Sequence, residues 1–471
     1  MPAEKRSARR VLFLSHSAGL GGAERILTLV VCGLDRRRYH PVVVVPEEGP
    51  LKRELERCGV ETEVSDVRWW GGWPGGAGAT HRRFTEGLSD RVRSMTRIIE
   101  HHRIEIAVTN TCVVAELALA AKECGIPHVW YVHEMLSQDP GLAALLQLKT
   151  LYALMLSLSA RVVVVSNAVK RELAQFVDTD EKVSVLHSGM PVPQGASFSK
   201  ESLLGLDESA RVVTFVGLLC ERKGVQILAD VAPLVLSAMP SAHFVLVGAD
   251  TDVASGMTAT VRARGVAHAF SFLGARPDAL EIIRVSDVLV LPSLSDPLPC
   301  VIMEAMALSI PVVATRSGGA EEMVVDGETG HLVPVNDAPA IANAILEILA
   351  SSTLREKMAR NAKNRSDELF VYEVFVRNFE ALLDATTARS IPDPGGMASA
   401  MLLESIASPS PLADHIRNSL AFRGLETFWD VRDRIVRPGT KLHAEYGHAA
   451  DRMRNIFTWF STATRRLFLR K

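Results

Sequence analysis

Cysteine is scarce in this chain and carries no pattern. The six cysteines (Cys32, Cys58, Cys112, Cys124, Cys220, Cys300) form no CxxC pair and no zinc spacing. A zinc module is excluded, and all six are expected to be reduced core thiols of a cytosolic protein. An excess of one charge is missing too. Lys and Arg number 52 against 54 Asp and Glu, a net charge of −2. The whole protein therefore has no pull on a polyanion, and nucleic acid is not an expected partner. No apolar leader is expected, because MPAEKRSARR runs straight into a buried-type strand, VLFLS. A long apolar run is also wanting. The nearest, Leu142 to Ala160, has Gln147 and Lys149 near its middle. A bilayer span wants roughly 20 mainly apolar residues, and charge at its centre is costly, so a buried helix between two strands is expected there. The metalloprotease pattern HExxH fails, because Ser137 follows His133-Glu134 where a second histidine is required.

What the chain does have is 471 residues and 48% hydrophobic composition, enough for two or three domains with real cores. Apolar β-type runs alternate with helical stretches, the pattern of parallel sheets flanked by helices. In the first half the runs are Val11 to Leu14, Val42 to Val45, Ile106 to Thr109, His128 to Val132 and Arg161 to Val165. Gly189 to Ser199, bearing Pro and Gly, reads as a linker. The pattern then restarts at Val212 to Val216, His243 to Val247, Phe270 to Leu273, Val288 to Leu291 and Pro311 to Ala314. The expected organisation is a Rossmann-like domain over residues 1–190 and a second over 191–370. A helix covers 371–390, and a linker with a basic helical extension covers 391–471. Two such domains put a cleft between the carboxyl ends of their sheets, where ligands bind in open α/β folds.

The densest chemistry lies in Pro292 to Gly330. Asp296 and Glu304 are separated by seven residues, after an apolar strand and around a helix that begins near Pro299. A strand-to-helix turn aims backbone N–H groups and a positive helix end at an anion. Pro299 can donate no backbone hydrogen bond, so the phosphate donors there are Cys300 and Val301. Glu304, one turn further in, could accept bonds from a diol such as a ribose. Two other loops follow strands. Ser15 to Glu24 carries Gly19, Gly21 and Gly22, which let backbone approach a phosphate or sugar. It is not a dinucleotide fingerprint, because Glu24 takes the third glycine position. Gly217 to Gly224 carries Arg222 and Lys223 at a strand end.

These segments resemble the retaining glycosyltransferases of family 4, which have the GT-B fold. The family pattern is an acidic residue, seven residues, then Glu-Ala-Met-Ala, Pro-Val-Val-Ala, Gly-Gly-x-x-Glu and Thr-Gly. Here it reads Asp296, Glu304 to Ala307, Pro311 to Ala314, Gly318-Gly319, Glu322 and Thr329-Gly330. The first loop resembles the family's Gly-Gly-Ala-Glu. The Gly217 loop is similar to Gly-Arg, four residues, Lys-Gly: Lys223 matches, while the Arg position holds Leu218 and Arg222 is a candidate substitute. Asp296 stands for the commoner Glu, and Ser309 for the Gly that usually ends the Glu-Ala-Met-Ala helix.

The resemblance covers roughly residues 10 to 385. It implies a GT-B enzyme with two Rossmann-like domains and a helix crossing back to the N-terminal half. It implies transfer of a sugar from a nucleotide-diphosphate sugar to a sugar or lipid-linked acceptor, with retention, in polysaccharide or glycolipid assembly. No metal and no cofactor beyond the donor are implied, and no Asp-x-Asp stands beside the diphosphate seat. The implied roles are Glu304 on the ribose, Asp296 on the donor sugar and His133 on a sugar hydroxyl. Lys223, Arg222, Gly21, Gly22, Cys300 and Val301 would bind the donor's phosphates. Two alternatives stay open: a catalytically silent GT-B protein that binds or scaffolds, and a nucleotide-sugar epimerase.

Two features fall outside the resemblance. Arg68 to Gly76 holds three tryptophans among four glycines, suited to stacking on a sugar, to a membrane interface or to burial. From Arg432 onward ten basic residues face three acidic ones, a +7 tail on a body of about −9. Such a tail can lie on an anionic membrane or pack on the protein. The expected location is therefore cytoplasmic, with membrane association through the tail as one reading.

Overall fold

The computed structural model describes residues 8–72, 84, 86–139, 143–144, 146–179, 182–191, 198–251 and 253–386. The basic tail and linker, 391–471, and Trp73 of the tryptophan loop lie outside these residues. Both sheets belong to one contact unit, Met1–Ala407.

The strands of the first half are β1 (Arg9–Leu14), β2 (Tyr39–Val45), β3 (Glu61–Val64), β4 (Gly71–Gly72), β5 (Ile106–Thr109), β6 (His128–Val132), β7 (Ala143–Ala144), β8 (Arg161–Val164) and β9 (Val183–Val185). Seven of them form a parallel sheet in the order β3-β2-β1-β5-β6-β8-β9. The second half contributes β10 (Arg211–Val216), β11 (Ala242–Val247), β12 (Phe270–Gly274), β13 (Val288–Leu291), β14 (Val312–Thr315) and β15 (Gly330–Val333). They form a six-stranded parallel sheet, β12-β11-β10-β13-β14-β15. The central strands are apolar on both faces because helices cover both. Val11 to Leu14, Val42 to Val45 and Val288 to Leu291 are all buried.

Every strand expected from an apolar run is present. Of the unexpected ones, β3, β9 and β15 lie at sheet edges, and the two-residue strands β4 and β7 pair with each other. β3 has no buried residue and β9 only one. Half-covered edges need no continuous apolar run, so these two left no signal of that kind. β15 is mostly buried but begins at Gly330, inside the Thr-Gly turn. The helix Tyr372–Ala385 crosses back to the first half. Phe379 packs on Phe13 and Tyr131 at ring distances of 6.2 and 5.7 Å. The Tyr372 hydroxyl donates to the Leu29 carbonyl (2.9 Å), and Arg38 donates to Glu380 (2.6 Å).

Three further expectations meet the structure here. Within Leu142 to Ala160 the helix runs only from Leu148 to Leu158, and no described helix is long and apolar enough to cross a membrane. Trp70 is buried and stacks on Trp130 at 5.8 Å, with its indole N–H donating to the Cys112 carbonyl (2.6 Å). Burial is thus the fate of that tryptophan. The six cysteines are not all reduced: Cys32 and Cys58 form a disulfide, with Cα atoms 5.7 Å apart. The helices Gly22–Gly33 and Pro50–Arg57 pack together and bring their ends into register. A separation of 26 residues cannot reveal that from sequence.

Candidate active site between the two sheets

The site gathers at the carboxyl ends of β13, β10, β1 and β6. After β13 the chain turns through Asp296, and Pro299 caps the helix Cys300–Ala307 from the N-cap position (ψ 107°). The proline thus stands one residue earlier than the first helical turn, and Cys300 opens the helix. Gly318 and Gly319 fix this turn from the far side. Gly318 has φ +60°, and a Cβ there would run into the Asp296 carbonyl; one on Gly319 would run into that of Pro297. The Gly319 amide donates to the Asp296 carbonyl at 2.8 Å. The paired glycines let the Gly318 loop lie directly on the acidic turn. Ser309, where a glycine was the expected helix end, does adopt the left-handed conformation (φ +62°).

Asp296 is buried and forms an ion pair with Lys223. Lys223 sits in the short 3-10 turn Glu221–Lys223 after β10, followed by Gly224 at φ +62°. Glu304 is also buried, 5% exposed, and Arg25 of the helix Gly22–Gly33 reaches its Oε1 at 2.5 Å. Burial pushes the Glu304 carboxyl above its ordinary range, and Arg25 opposes that shift. Cys300 lies among these groups. Its thiol is pushed up to about 12, chiefly by burial, then by Glu304 against Arg25 and by Asp296 against Lys223. A Cβ on Gly22 would come within 3.8 Å of the Cys300 sulfur. The glycine loop of the first half therefore faces the helix N-terminus of the second. Gly21 is the N-cap of its own helix, and a Cβ there would press on the Glu24 carboxylate at 2.6 Å. Val301 is buried in the first turn of the Cys300 helix.

Arg222 points elsewhere. Its Nε lies 3.1 Å from Asp139 Oδ2, in the first half, and its Nη1 donates to the Ser295 carbonyl at 3.0 Å. Leu218 is 41% exposed. His133 ends β6. Its Nε2 lies 3.1 Å from Asn110 Oδ1, while the Asn110 amide donates to the Ala23 carbonyl at 2.9 Å. Because that amide oxygen can only accept, Nε2 carries the proton. Burial, then the nearby His16, hold His133 down at about 3. The ring is neutral at ordinary pH.

Sequence reasoning gave no role to Arg25, Asn110 or Glu322. Glu322, quoted only as a pattern match, accepts from the Asn167 amide (2.9 Å), the Ala168 amide (2.6 Å) and His187 Nε2 (3.0 Å). Ser166 donates to the Pro297 carbonyl at 2.6 Å. These contacts join the two halves. Arg25 directly follows Gly-Gly-Ala-Glu, and no sequence spacing links it to Glu304.

Comparison with known proteins agrees with this architecture. The family model "Glycosyltransferase Family 4" matches residues 20–192, and "Glycosyl transferases group 1" matches 210–351. The D-inositol 3-phosphate glycosyltransferase of Corynebacterium diphtheriae is 34% identical over 164 residues, 33% of this chain and 38% of that protein. The Escherichia coli UDP-Gal:alpha-D-GlcNAc-diphosphoundecaprenol alpha-1,3-galactosyltransferase is 25% identical over 284 residues, 58% of this chain and 73% of that protein. The chain spans about 40–60% of the length of the first curated relatives it matches. In fold it is similar to Anabaena Alr3699/HepE, solved in complex with UDP and glucose: TM-score 0.68, 23% identity, covering 80% of this chain and 100% of that one. Two parallel-sheet domains and two matching family models, one on each, show that the chain belongs to the group 1, family 4 glycosyltransferases and has the GT-B fold.

Proposed function

We propose that the chain is a retaining, metal-independent glycosyltransferase that moves a sugar from a nucleoside diphosphate sugar to a sugar or lipid-linked acceptor. The observation that carries this reading is the convergence of Lys223, Asp296, Glu304 and the Cys300 helix N-terminus on one face of the cleft, opposite the Gly21-Gly22 loop. Breaking the sugar–phosphate bond develops charge on the leaving phosphate. A preorganised cation and helix N–H groups, here Lys223 and the turn at Cys300 and Val301, stabilise that charge. Glu304 presents a buried carboxylate, ion-paired with Arg25, whose oxygens can accept from a ribose hydroxyl. Asp296, positioned by Lys223, would take a donor-sugar hydroxyl, and neutral His133 another. Relatives named for UDP-linked donors and lipid-linked acceptors support the same classes of substrate.

A thermal-shift panel of UDP, GDP and ADP tests the donor site. A ligand at about 100 times its Kd stabilises the folded state by about 2.7 kcal/mol. One nucleoside diphosphate should shift the melt, and turnover of its sugar conjugate should survive excess chelator. Turnover lost in chelator and restored by manganese would overturn the metal-free mechanism. Lys223→Ala should lower kcat by about 10²–10³, the range for one transition-state contact; a silent Lys223→Ala in an active enzyme would mean the phosphates sit elsewhere.

A further inference from the structure

The phosphate seat of this chain lacks a cation at the position where the family pattern has arginine. That position is Leu218, a side chain with no charge. The adjacent candidate, Arg222, is engaged with Asp139 and the Ser295 carbonyl. Another guanidinium does enter the site, from the opposite domain. Arg25 projects from the helix Gly22–Gly33, and its Nη2 lies 2.5 Å from Glu304 Oε1. Its side chain is 41% exposed, so the guanidinium is not enclosed by protein. One turn earlier on its helix, Gly22 faces Cys300 across the gap. The groups that surround the Cys300 thiol are Glu304, Arg25, Asp296 and Lys223, two carboxylates and two cations around one helix N-terminus. A guanidinium has five donors in a rigid fork, and contact with one carboxylate oxygen leaves several free for a phosphate.

We infer that Arg25 is the second cation of the diphosphate seat, reaching across the cleft to do what the family's arginine does at the position of Leu218. The inference rests on the glycosyltransferase reading above. It makes the seat a product of both domains: Lys223 comes from the second sheet and Arg25 from the first. The leaving diphosphate then meets both cations only when the two halves are together.

Isothermal titration of the full chain with the nucleoside diphosphate selected by the panel, and with its monophosphate, tests it. Arg25→Ala should weaken the diphosphate about 10- to 100-fold, the range for a hydrogen bond to a charged group, and the monophosphate by less than about threefold. Leu218→Arg added to Arg25→Ala should recover most of the loss. Arg25→Ala leaves Glu304 buried without its cation, so the same step is repeated in Glu304→Gln, which carries no charge to orphan. There, too, Arg25→Ala should cost the diphosphate tenfold or more. Equal losses for mono- and diphosphate, or no added loss in the Glu304→Gln background, would overturn the inference and leave Arg25 acting only through Glu304. Wild-type protein that binds no nucleotide would instead remove the glycosyltransferase reading, and the inference with it.

Discussion

His133 illustrates how a site residue is tuned before any ligand arrives. A solvent-exposed histidine titrates near 6.5. Burial, then His16, hold this one down at about 3, and its Nε2 proton is committed to Asn110. Its ring is therefore neutral, and the pH–rate profile should show no His133 ionisation between about pH 5 and 8. The linkage has a definite sign. The folded pKa lies below the unfolded one, so the stabilisation from neutral His133 is present above about pH 6.5 and is lost as pH falls toward 3. His128, held by burial at about 3, acts in the same direction. Thermal melts of His133→Gln should show a smaller loss across that window than wild type. Parallel curves would mean that His133 already titrates normally in the folded protein.

At the scale of elements, the acidic turn and the helix Cys300–Ala307 are held by backbone conformations that few residues tolerate. Gly318, at φ +60° against the Asp296 carbonyl, cannot accept a Cβ without movement. Gly318→Ala should cost about 1–3 kcal/mol and weaken donor binding by displacing Asp296. Ser309 already bears the cost of a left-handed conformation at the helix end. Ser309→Gly should relieve it and stabilise by about 0.5–1 kcal/mol with activity unchanged. Denaturant melts read both, and a stabilised Gly318→Ala would contradict the steric argument. The glycine pair and the serine departure were both visible in the sequence. Which carbonyl each would meet was not, because that depends on a loop 22 residues earlier.

For the molecule as a whole, Glu322 is the clearest tie between the halves. Burial raises its carboxyl, but His187 and the Asn167 and Ala168 donors outweigh that and hold it at about 2. Its contribution to stability is therefore full above the unfolded value of about 4.3 and disappears as pH falls through that value toward 2. Glu322→Gln should lower stability at neutral pH, and the gap to wild type should close on acidification over that window. A gap that stays constant with pH would show that the hydrogen-bonding shape of Glu322, and not its charge, joins the halves.

The amino-acid sequence by itself determined the two-sheet architecture, because doubly covered parallel strands must be continuous apolar runs and those runs are local. It also specified the acidic turn, the helix Cys300–Ala307 and Lys223, since each is written within a few residues of a strand end. Tertiary structure alone decided the pairings made across the molecule: Arg25 with Glu304, Arg222 with Asp139, Cys32 with Cys58, and Glu322 with His187. These partners are separated by 26 to 279 residues of chain. Periodicity and motif spacing encode only which face a residue takes on its own element. Its partner is chosen when the elements dock, by which charged side chains burial brings within reach of one another.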